Sequence, residues 1–258
     1  MSSAALVVHQ LRYDQKVFWR NPASVFFTVL LPVIFLIIFS TIFGSETIEL
    51  PGEDIETTTY YVPAILTLAI VSATLVNLAV TLTYARENGT LKRSRGTPVP
   101  SWVFIAGRVG NCLVISLLML VVVTTIGHFI YGVAVPWDHL GAVLISIGVG
   151  AAAFCCLGMA LTALIPSEDA APAITNVAVL PLYFLSGVFI PDSEIPDGVL
   201  DFSEAFPIRH FFEAIFTAFD PNTAGSAVEW GNLGFVAAWG VLGLALALRY
   251  FRWTPREG

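Results

Sequence analysis

Charged residues are scarce in this chain: Asp, Glu, Lys and Arg together make up 12% of its 258 residues. That is about half the fraction found in an ordinary soluble domain. Hydrophobic residues account for 56%. This composition excludes a typical water-soluble domain and indicates one membrane domain built from several helices.

Motifs for catalysis or metal binding are also missing. The three cysteines, Cys112, Cys155 and Cys156, lie in apolar runs, and their spacing fits neither a metal site nor a disulfide framework. The sequence contains no Gly-x-x-x-x-Gly-Lys-Ser/Thr loop, no His-Glu-x-x-His and no convincing Ser/His nucleophile pair. We therefore expect no catalytic residues, no metal and no cofactor bound by this chain.

Long apolar runs are abundant instead, and six of them can cross a membrane as helices of about 20 residues. They are Ala23–Phe43, Tyr61–Tyr84, Trp102–Tyr131, Leu140–Ile165, Ala171–Ile190 and Asn232–Phe251. The third is overlong, so its membrane part is expected to be closer to Val109–Tyr131. The first is too long for a signal peptide, and we expect it to stay in the protein. The predicted fold is an all-α polytopic membrane protein with six transmembrane helices in residues 23–258.

Residues 1–22 have a mixed pattern that predicts an amphipathic interfacial helix. Apolar residues recur at roughly helical spacing, interrupted by Asp14 and Gln15, and Trp19 and Arg20 suit the headgroup layer. A solvated helical arm remains the alternative. Pro22 should end this helix, because the residue before proline is disfavoured in helical geometry.

The basic residues predict the orientation. Eleven of the twelve Lys and Arg fall in the N-terminal segment, in the loop 85–108 or at the C-terminal end, whereas the alternate loops are acidic. Basic loops stay in the cytoplasm, so both termini and the loop 85–108 should be cytoplasmic and the segment 191–231 extracellular. Arg outnumbers Lys ten to two, which favours a bacterial inner membrane.

Uncharged polar residues are the candidates for a substrate path, since we find no Asp, Glu, Lys or Arg inside the predicted spans away from their ends. That lack makes an ion- or proton-coupled transporter less favoured. One face of the second span carries Thr67, Thr74, Asn77 and Thr81. Asn77 must face protein or a wet cavity, so helix packing and a substrate path both stay open. Asn176 and Ser186 in the fifth span pose the same question.

The fourth span carries small residues at intervals that let helices approach closely. They are Ser146, Gly150, Ala152, Cys156 and Ala160. We interpret them as packing residues.

The loop 85–108 carries a motif after the second span. It reads Arg-Glu-x-Gly-Thr-Leu with a later Thr-Pro: Arg86, Glu87, Gly89, Thr90, Leu91, Thr97 and Pro98. A second motif, Leu-Ser-Gly-x-x-x-Pro, ends the fifth span at Leu185, Ser186, Gly187 and Pro191. Together with the six-span layout, these motifs resemble permease subunits of type 2 ABC exporters.

The resemblance implies a pathway formed by two permease copies, a homodimer or a related heterodimer, with a separate ABC ATPase subunit docked below. ATP and Mg would be bound by that ATPase and not by this chain, and the first motif would couple the ATPase to the spans. Thr74, Asn77, Thr81, Asn176 and Ser186 are then the candidate substrate-path residues. The Phe-rich, uncharged spans favour an amphipathic drug, antibiotic or lipid over a polysaccharide, and no nucleic-acid partner is expected. A secondary transporter and a non-transporting assembly factor are the alternatives.

The first motif, which ends the second span, predicts a turn of the backbone and an ion pair. Gly89 can adopt a positive φ, which suits an abrupt turn into a short helix beginning near Thr90. Glu87 is the one acid among five basic residues of the loop. We expect it to pair with Arg86, with Arg108 or with an arginine of the partner, the alternative being a solvated surface charge.

Overall fold

The structure is a computed structural model that describes residues 3–43, 47–50, 53–96, 101–191, 195–223, 225–251 and 253–254. It is predominantly helical, which confirms the predicted fold class. In these residues the helices are α1 (Ser3–Arg20), α2 (Pro22–Phe43), α3 (Thr57–Glu87), α4 (Thr90–Arg95), α5 (Ser101–Tyr131), α6 (Leu140–Thr162), α7 (Ala171–Leu185), α8 (Asp197–Ser203), α9 (Pro207–Phe219) and α10 (Trp230–Tyr250). An antiparallel hairpin of β1 (Thr47–Leu50) and β2 (Glu53–Glu56), which the sequence analysis did not predict, precedes α3.

Five of the described helices, α2, α3, α5, α6 and α10, are long and apolar enough to cross a membrane. Helix α7 has 15 residues, a length of about 22 Å against a hydrocarbon core of about 30 Å. Its predicted end at Ile190 is wrong, because Gly187 adopts φ +78° and turns the chain after Leu185. The predicted end of the fourth span at Ile165 is also late, since α6 stops at Thr162, ahead of Pro166.

Helix α3 is the centre of the bundle. Every residue from Tyr60 to Val71 is buried, and the helix packs against α2, α5, α6, α7 and α9. A π-helical turn at Ser72–Val76 interrupts its regular hydrogen bonding near the middle. Such turns are rare within α-helices and are frequent at functional sites.

Helices α1 and α2 meet at a sharp break, as Pro22 predicts. Asn21 has extended backbone geometry and its side-chain oxygen accepts from the Ser24 N–H at 3.3 Å, which caps the start of α2. Helix α1 packs along α5. The two helices are in close contact at Gly107, where an added Cβ would lie only 2.3 Å from Cγ of Gln10. The location of α1 on the membrane surface stays a prediction.

Small residues of α6 allow close packing, which confirms their interpretation at Gly150 and extends it to Gly158. A Cβ on Gly150 would lie 2.2 Å from the Phe211 ring, and one on Gly158 would lie 2.8 Å from the Leu75 carbonyl oxygen of α3. Helix α10 contacts α6 beside Gly150, where a Cβ on Gly240 would lie 2.8 Å from Ala153. Ala152, by contrast, is exposed.

Helix α9, within the predicted extracellular segment 191–231, extends into the bundle and packs against α3, α6 and α10. Its contact at Gly150 lies ten residues into α6, about 15 Å along that helix. Phe211, Phe212 and Ile215 are buried there. Helix α9 is therefore a packed part of the helix bundle, and not only a surface connection.

Candidate functional site

Arg86, at the end of α3, forms a buried junction with the end of α6. Its side chain is fully enclosed, and its guanidinium donates to the Thr162 carbonyl at 2.8 Å and to the Ile165 carbonyl at 2.7 Å. A third bond, from Nε to Oε1 of Glu87, measures 2.6 Å. Helix C-terminal carbonyls lack partners within the helix and favour a cation, so Arg86 caps α6 while fixing α3 to it. We call these four residues the Arg86 junction.

Glu87 pairs with Arg86, which selects one of the partners left open by the sequence. Gly89 adopts φ +68°, as expected for the abrupt turn, and α4 begins at Thr90. Leu91 of α4 is fully buried in an apolar cluster with Leu82 and other residues of α3 and α5. Helix α4 is therefore attached to the bundle directly beside the Arg86 junction.

Two residues of the motif, Thr97 and Pro98, lie outside the described residues. Thr90 is exposed, whereas Arg86 and Leu91 are buried within the permease itself. Arg108 does not reach Glu87. Its guanidinium lies 3.6 Å from Asp14 of α1 and covers the Phe104 ring at 5.0 Å.

A cavity of about 470 Å³ lies between α2, α3 and α7. Its volume is in the range that accommodates small-molecule ligands. The amides of the lining, from Asn21, Asn77 and Asn176, lie nearer the ends of these helices predicted to be cytoplasmic. Phe27 and Tyr84 also line that end, and four further aromatic residues line the other end: Phe35, Tyr183, Phe184 and Phe189. None of its described lining residues is charged, so this large cavity suits an uncharged amphipathic molecule.

The structure brings together only part of the predicted substrate path. Asn77 and Asn176, from α3 and α7, both line the large cavity. Thr81 lines a smaller neighbouring pocket, and its hydroxyl donates to the Asn77 carbonyl at 2.7 Å.

Thr74 and Ser186 are not among the residues that line either cavity, and their place on the path stays a prediction. Thr74 is buried and donates to the Ile70 carbonyl at 2.6 Å, while the Ser186 hydroxyl donates to the Leu182 carbonyl. Both hydroxyls bond to their own helix because Ser and Thr can satisfy themselves in this way.

Sequence reasoning missed the contribution of Ser72 and Tyr183. The two hydroxyls lie 3.2 Å apart on the wall of the large cavity, and Tyr183 also donates to the Leu68 carbonyl at 3.2 Å. Ser72 is on the same helix as Asn77 but off the Thr stripe. The π-helical turn that begins at Ser72 shifts the faces of the helix, and helical periodicity from sequence does not include such a shift.

The smaller cavity, which we call the polar pocket, has a volume of about 30 Å³ and lies between α1, α3 and α5. Asp14, Arg108 and Asn111 line it together with Asn77 and Thr81. Asp14 is 4% exposed, and burial raises the pKa of its carboxyl above the ordinary value, opposed by Arg108 and by the hydrogen bond from Gln10. The sequence signal for this pocket was Asp14 itself, which interrupts the apolar face of α1.

Residues 7–219 match the family model described as ABC-2 type transporter. The chain belongs to this family. The resemblance deduced from the motifs is thereby confirmed, and this ABC-2 protein is a multi-pass transport permease subunit.

The chain is also similar to two other proteins. The chain is 22% identical over 234 residues to "Putative transport permease YvfS" of Bacillus subtilis (strain 168), covering 90% of this chain and 91% of that protein. It is 26% identical over 153 residues to "Nodulation protein J" of Sinorhizobium fredii (strain NBRC 101917 / NGR234), covering 58% of this chain and 56% of that protein.

Proposed function

We propose that this permease is the membrane-spanning subunit of an ATP-driven exporter in a bacterial inner membrane. Its cargo is an amphipathic small molecule, a drug, an antibiotic or a lipid, taken from the cytoplasm or the inner leaflet. The observation that supports this most is the large cavity, whose amides lie nearer the predicted cytoplasmic side and whose wall carries six aromatic residues. Aromatic rings offer apolar area to the body of such a cargo, and the amides can bond its polar group.

The partners follow from the family and from the surface of the chain. A separate ABC ATPase subunit binds ATP and Mg below the permease, and a second permease copy, identical or related, completes the pathway. Helices α2 and α7 border the large cavity and expose apolar side chains beside it, including Phe27, Ile34 and Leu180. A second copy packed there would close the cavity from the lipid.

The Arg86 junction gives a physical route from the ATPase to the cavity. Movement of the ATPase displaces α4, and Leu91 transfers that displacement to the apolar cluster at the end of α3. Arg86 makes α3 and α6 move together because it bonds to both. Since α3 carries Asn77 on the cavity wall, its displacement changes the shape of the cargo site.

The experiment replaces Asn77 by Leu, which is similar in size but removes the amide. The permease is reconstituted in liposomes with its ATPase, and export of a panel of amphipathic compounds is measured together with ATP hydrolysis. We expect roughly a tenfold change in the relative rates of different cargoes, as for the loss of one good hydrogen bond in a desolvated site.

Thr74→Val provides the comparison on the same helix, because the Thr74 hydroxyl bonds its own backbone away from the cavity. It should preserve cargo preference. Wild-type preference in Asn77→Leu across the whole panel would contradict the assignment of the large cavity. Export by the permease without any ATPase would contradict the ATP-driven mechanism.

A further inference from the structure

Three buried polar atoms around the polar pocket lack a hydrogen-bond partner among the described residues: Asp14 Oδ1, Arg108 Nε and Asn111 Oδ1. The three residues come from α1 and α5 and line the same pocket. Asp14 is 4% and Asn111 is 6% exposed, so bulk water does not reach these side chains freely. Most buried polar atoms in proteins are paired, and three unpaired ones around a single small cavity need an explanation.

The geometry leaves room for a bridging molecule. Asp14 Oδ1 and Arg108 Nε are 3.6 Å apart, which is too long for a direct hydrogen bond and still allows one water molecule to contact both atoms. The pocket volume of about 30 Å³ holds one or two water molecules. A water molecule donates two hydrogen bonds and accepts two, which matches two acceptor oxygens and one N–H donor.

We infer that the polar pocket binds an ordered water molecule that donates to Asp14 Oδ1 and to Asn111 Oδ1 and accepts from Arg108 Nε. A metal cation fits less well, because the guanidinium of Arg108 lies against the same carboxylate and would repel it. The polar group of a cargo is excluded by size, since the pocket has room for little more than water.

The bound water joins α1 to α5 at the cytoplasmic end of the large cavity. The two cavities share Asn21, Ser24 and Asn77, so the water lies next to the amides of the large cavity. Helices α1 and α5 are thereby held as one unit against α3. A role for this unit in cargo export rests on the proposed function, whereas the water site does not.

The test is a pair of cryo-electron microscopy maps, of the wild-type permease and of Asn111→Leu in lipid nanodiscs, at a resolution that shows waters. In the wild type we expect one density about 2.6–3.2 Å from each of the three atoms. In Asn111→Leu the added methyl groups occupy the pocket and the density should be lost. Ser116→Ala is the control, because it removes a buried hydroxyl of α5 that bonds the Cys112 carbonyl and does not line the pocket. It should keep the density.

Thermal unfolding gives a second readout that is independent of transport. Asp14→Leu and Asn111→Leu break the same bridge, so the melting-temperature shift of the double variant should be clearly smaller than the sum of the single shifts. The single shifts should each be a few degrees.

Several outcomes overturn the inference: direct pairing of Asp14 with Arg108 without any density between them, a density that persists in Asn111→Leu, ligand distances of about 2.0–2.6 Å that identify a cation, or additive melting shifts. The wild-type map decides the question even if Asn111→Leu does not fold. Loss of the water with intact export would separate this inference from the proposed function, which would stand.

Discussion

The Arg86 junction and the large cavity both use helix α3, but they treat polar groups in opposite ways. At the junction, the guanidinium of Arg86 bonds to three oxygens at 2.6–2.8 Å in a space that excludes solvent. In the large cavity, Asn77 and Asn176 border open volume, and none of the described residues that line this cavity is charged. A buried charge bonded to both helices fixes them in one arrangement, whereas uncharged amides on an open wall can adapt to different ligands.

The difference indicates how one helix can serve two tasks. The end of α3 at the junction is bonded to α6, while the part of α3 at the π-helical turn borders the large cavity. In the proposed mechanism, a displacement of the bonded end changes the shape of the cavity. The following variants test this difference, in order of decreasing expected effect.

Arg86→Ala should be the most destabilising change. It removes three hydrogen bonds and leaves the carbonyls of Thr162 and Ile165 and the carboxylate of Glu87 without their cation. Breaking a buried ion pair by removing one partner costs about 3 to 5 kcal/mol in the free energy of unfolding. Unfolding of the purified permease in detergent micelles measures it.

Arg93→Ala is the matched control, because Arg93 belongs to the same basic loop but is exposed and bonds to the Asn88 carbonyl. Its cost should be about 0 to 1 kcal/mol. Equal costs for the two variants would show that the Arg86 junction does not stabilise the bundle.

Gly158→Ala should have the next largest effect, since it separates α6 from α3 at the π-helical turn. The new Cβ would lie 2.8 Å from the Leu75 carbonyl oxygen and 3.1 Å from its Cα, and backbone atoms cannot move aside cheaply. We expect a loss of about 1 to 3 kcal/mol in the free energy of unfolding.

Gly148→Ala tests the same substitution on the same helix with no atom within 4 Å of the new Cβ. It should be neutral or stabilising by up to about 1 kcal/mol, because Ala is the better helix former. If both substitutions destabilise the protein to a similar extent, the close contact between α6 and α3 is not the cause of the loss at Gly158.

Asp14→Asn should give the smallest effect, and one that depends on pH. The pKa of the Asp14 carboxyl is raised in the folded protein above its ordinary 3.8, chiefly by burial. The folded state then binds the proton more tightly than the unfolded chain, so the contribution of Asp14 to stability is fully present below pH 3.8 and is lost as pH rises through the folded pKa.

Asparagine carries no such proton. The stability of Asp14→Asn relative to wild type should therefore increase from pH 4 to the folded pKa and then stay constant. Melting temperatures of both proteins over pH 4 to 8 provide the measurement. A relative stability that falls as pH rises would mean that Arg108 outweighs burial at this carboxyl.

Much of the fold could be predicted because the relevant signals are local. The lengths of the apolar runs predicted the long helices, Pro22 predicted the break before α2, and Gly89 predicted the turn into α4. The insertion of α9 into the bundle could not be predicted, because it depends on Phe211 filling the space above Gly150, more than 60 residues apart in the chain.

The candidate site was predictable only where a residue had no local way to satisfy its polar groups. The amide of Asn77 had to face protein or a cavity, and the structure places it on the large cavity. Thr74 had the same spacing, but its hydroxyl bonds the carbonyl of Ile70 and gives no information on a path. The polar pocket was missed because Asp14 and Asn111 are brought together only by the packing of α1 on α5.

The central claim is that the Arg86 junction passes the motion of the ATPase to the large cavity. Glu87 tests it most directly: Glu87→Ala removes the partner of Arg86 Nε, whereas Glu87→Gln keeps an oxygen that can accept from it. Transport per ATP hydrolysed is measured for both variants and wild type in the reconstituted complex. We predict that Glu87→Ala inserts, binds the ATPase and loses most transport per ATP, while Glu87→Gln retains a larger share. Unchanged transport per ATP in Glu87→Ala would contradict the account.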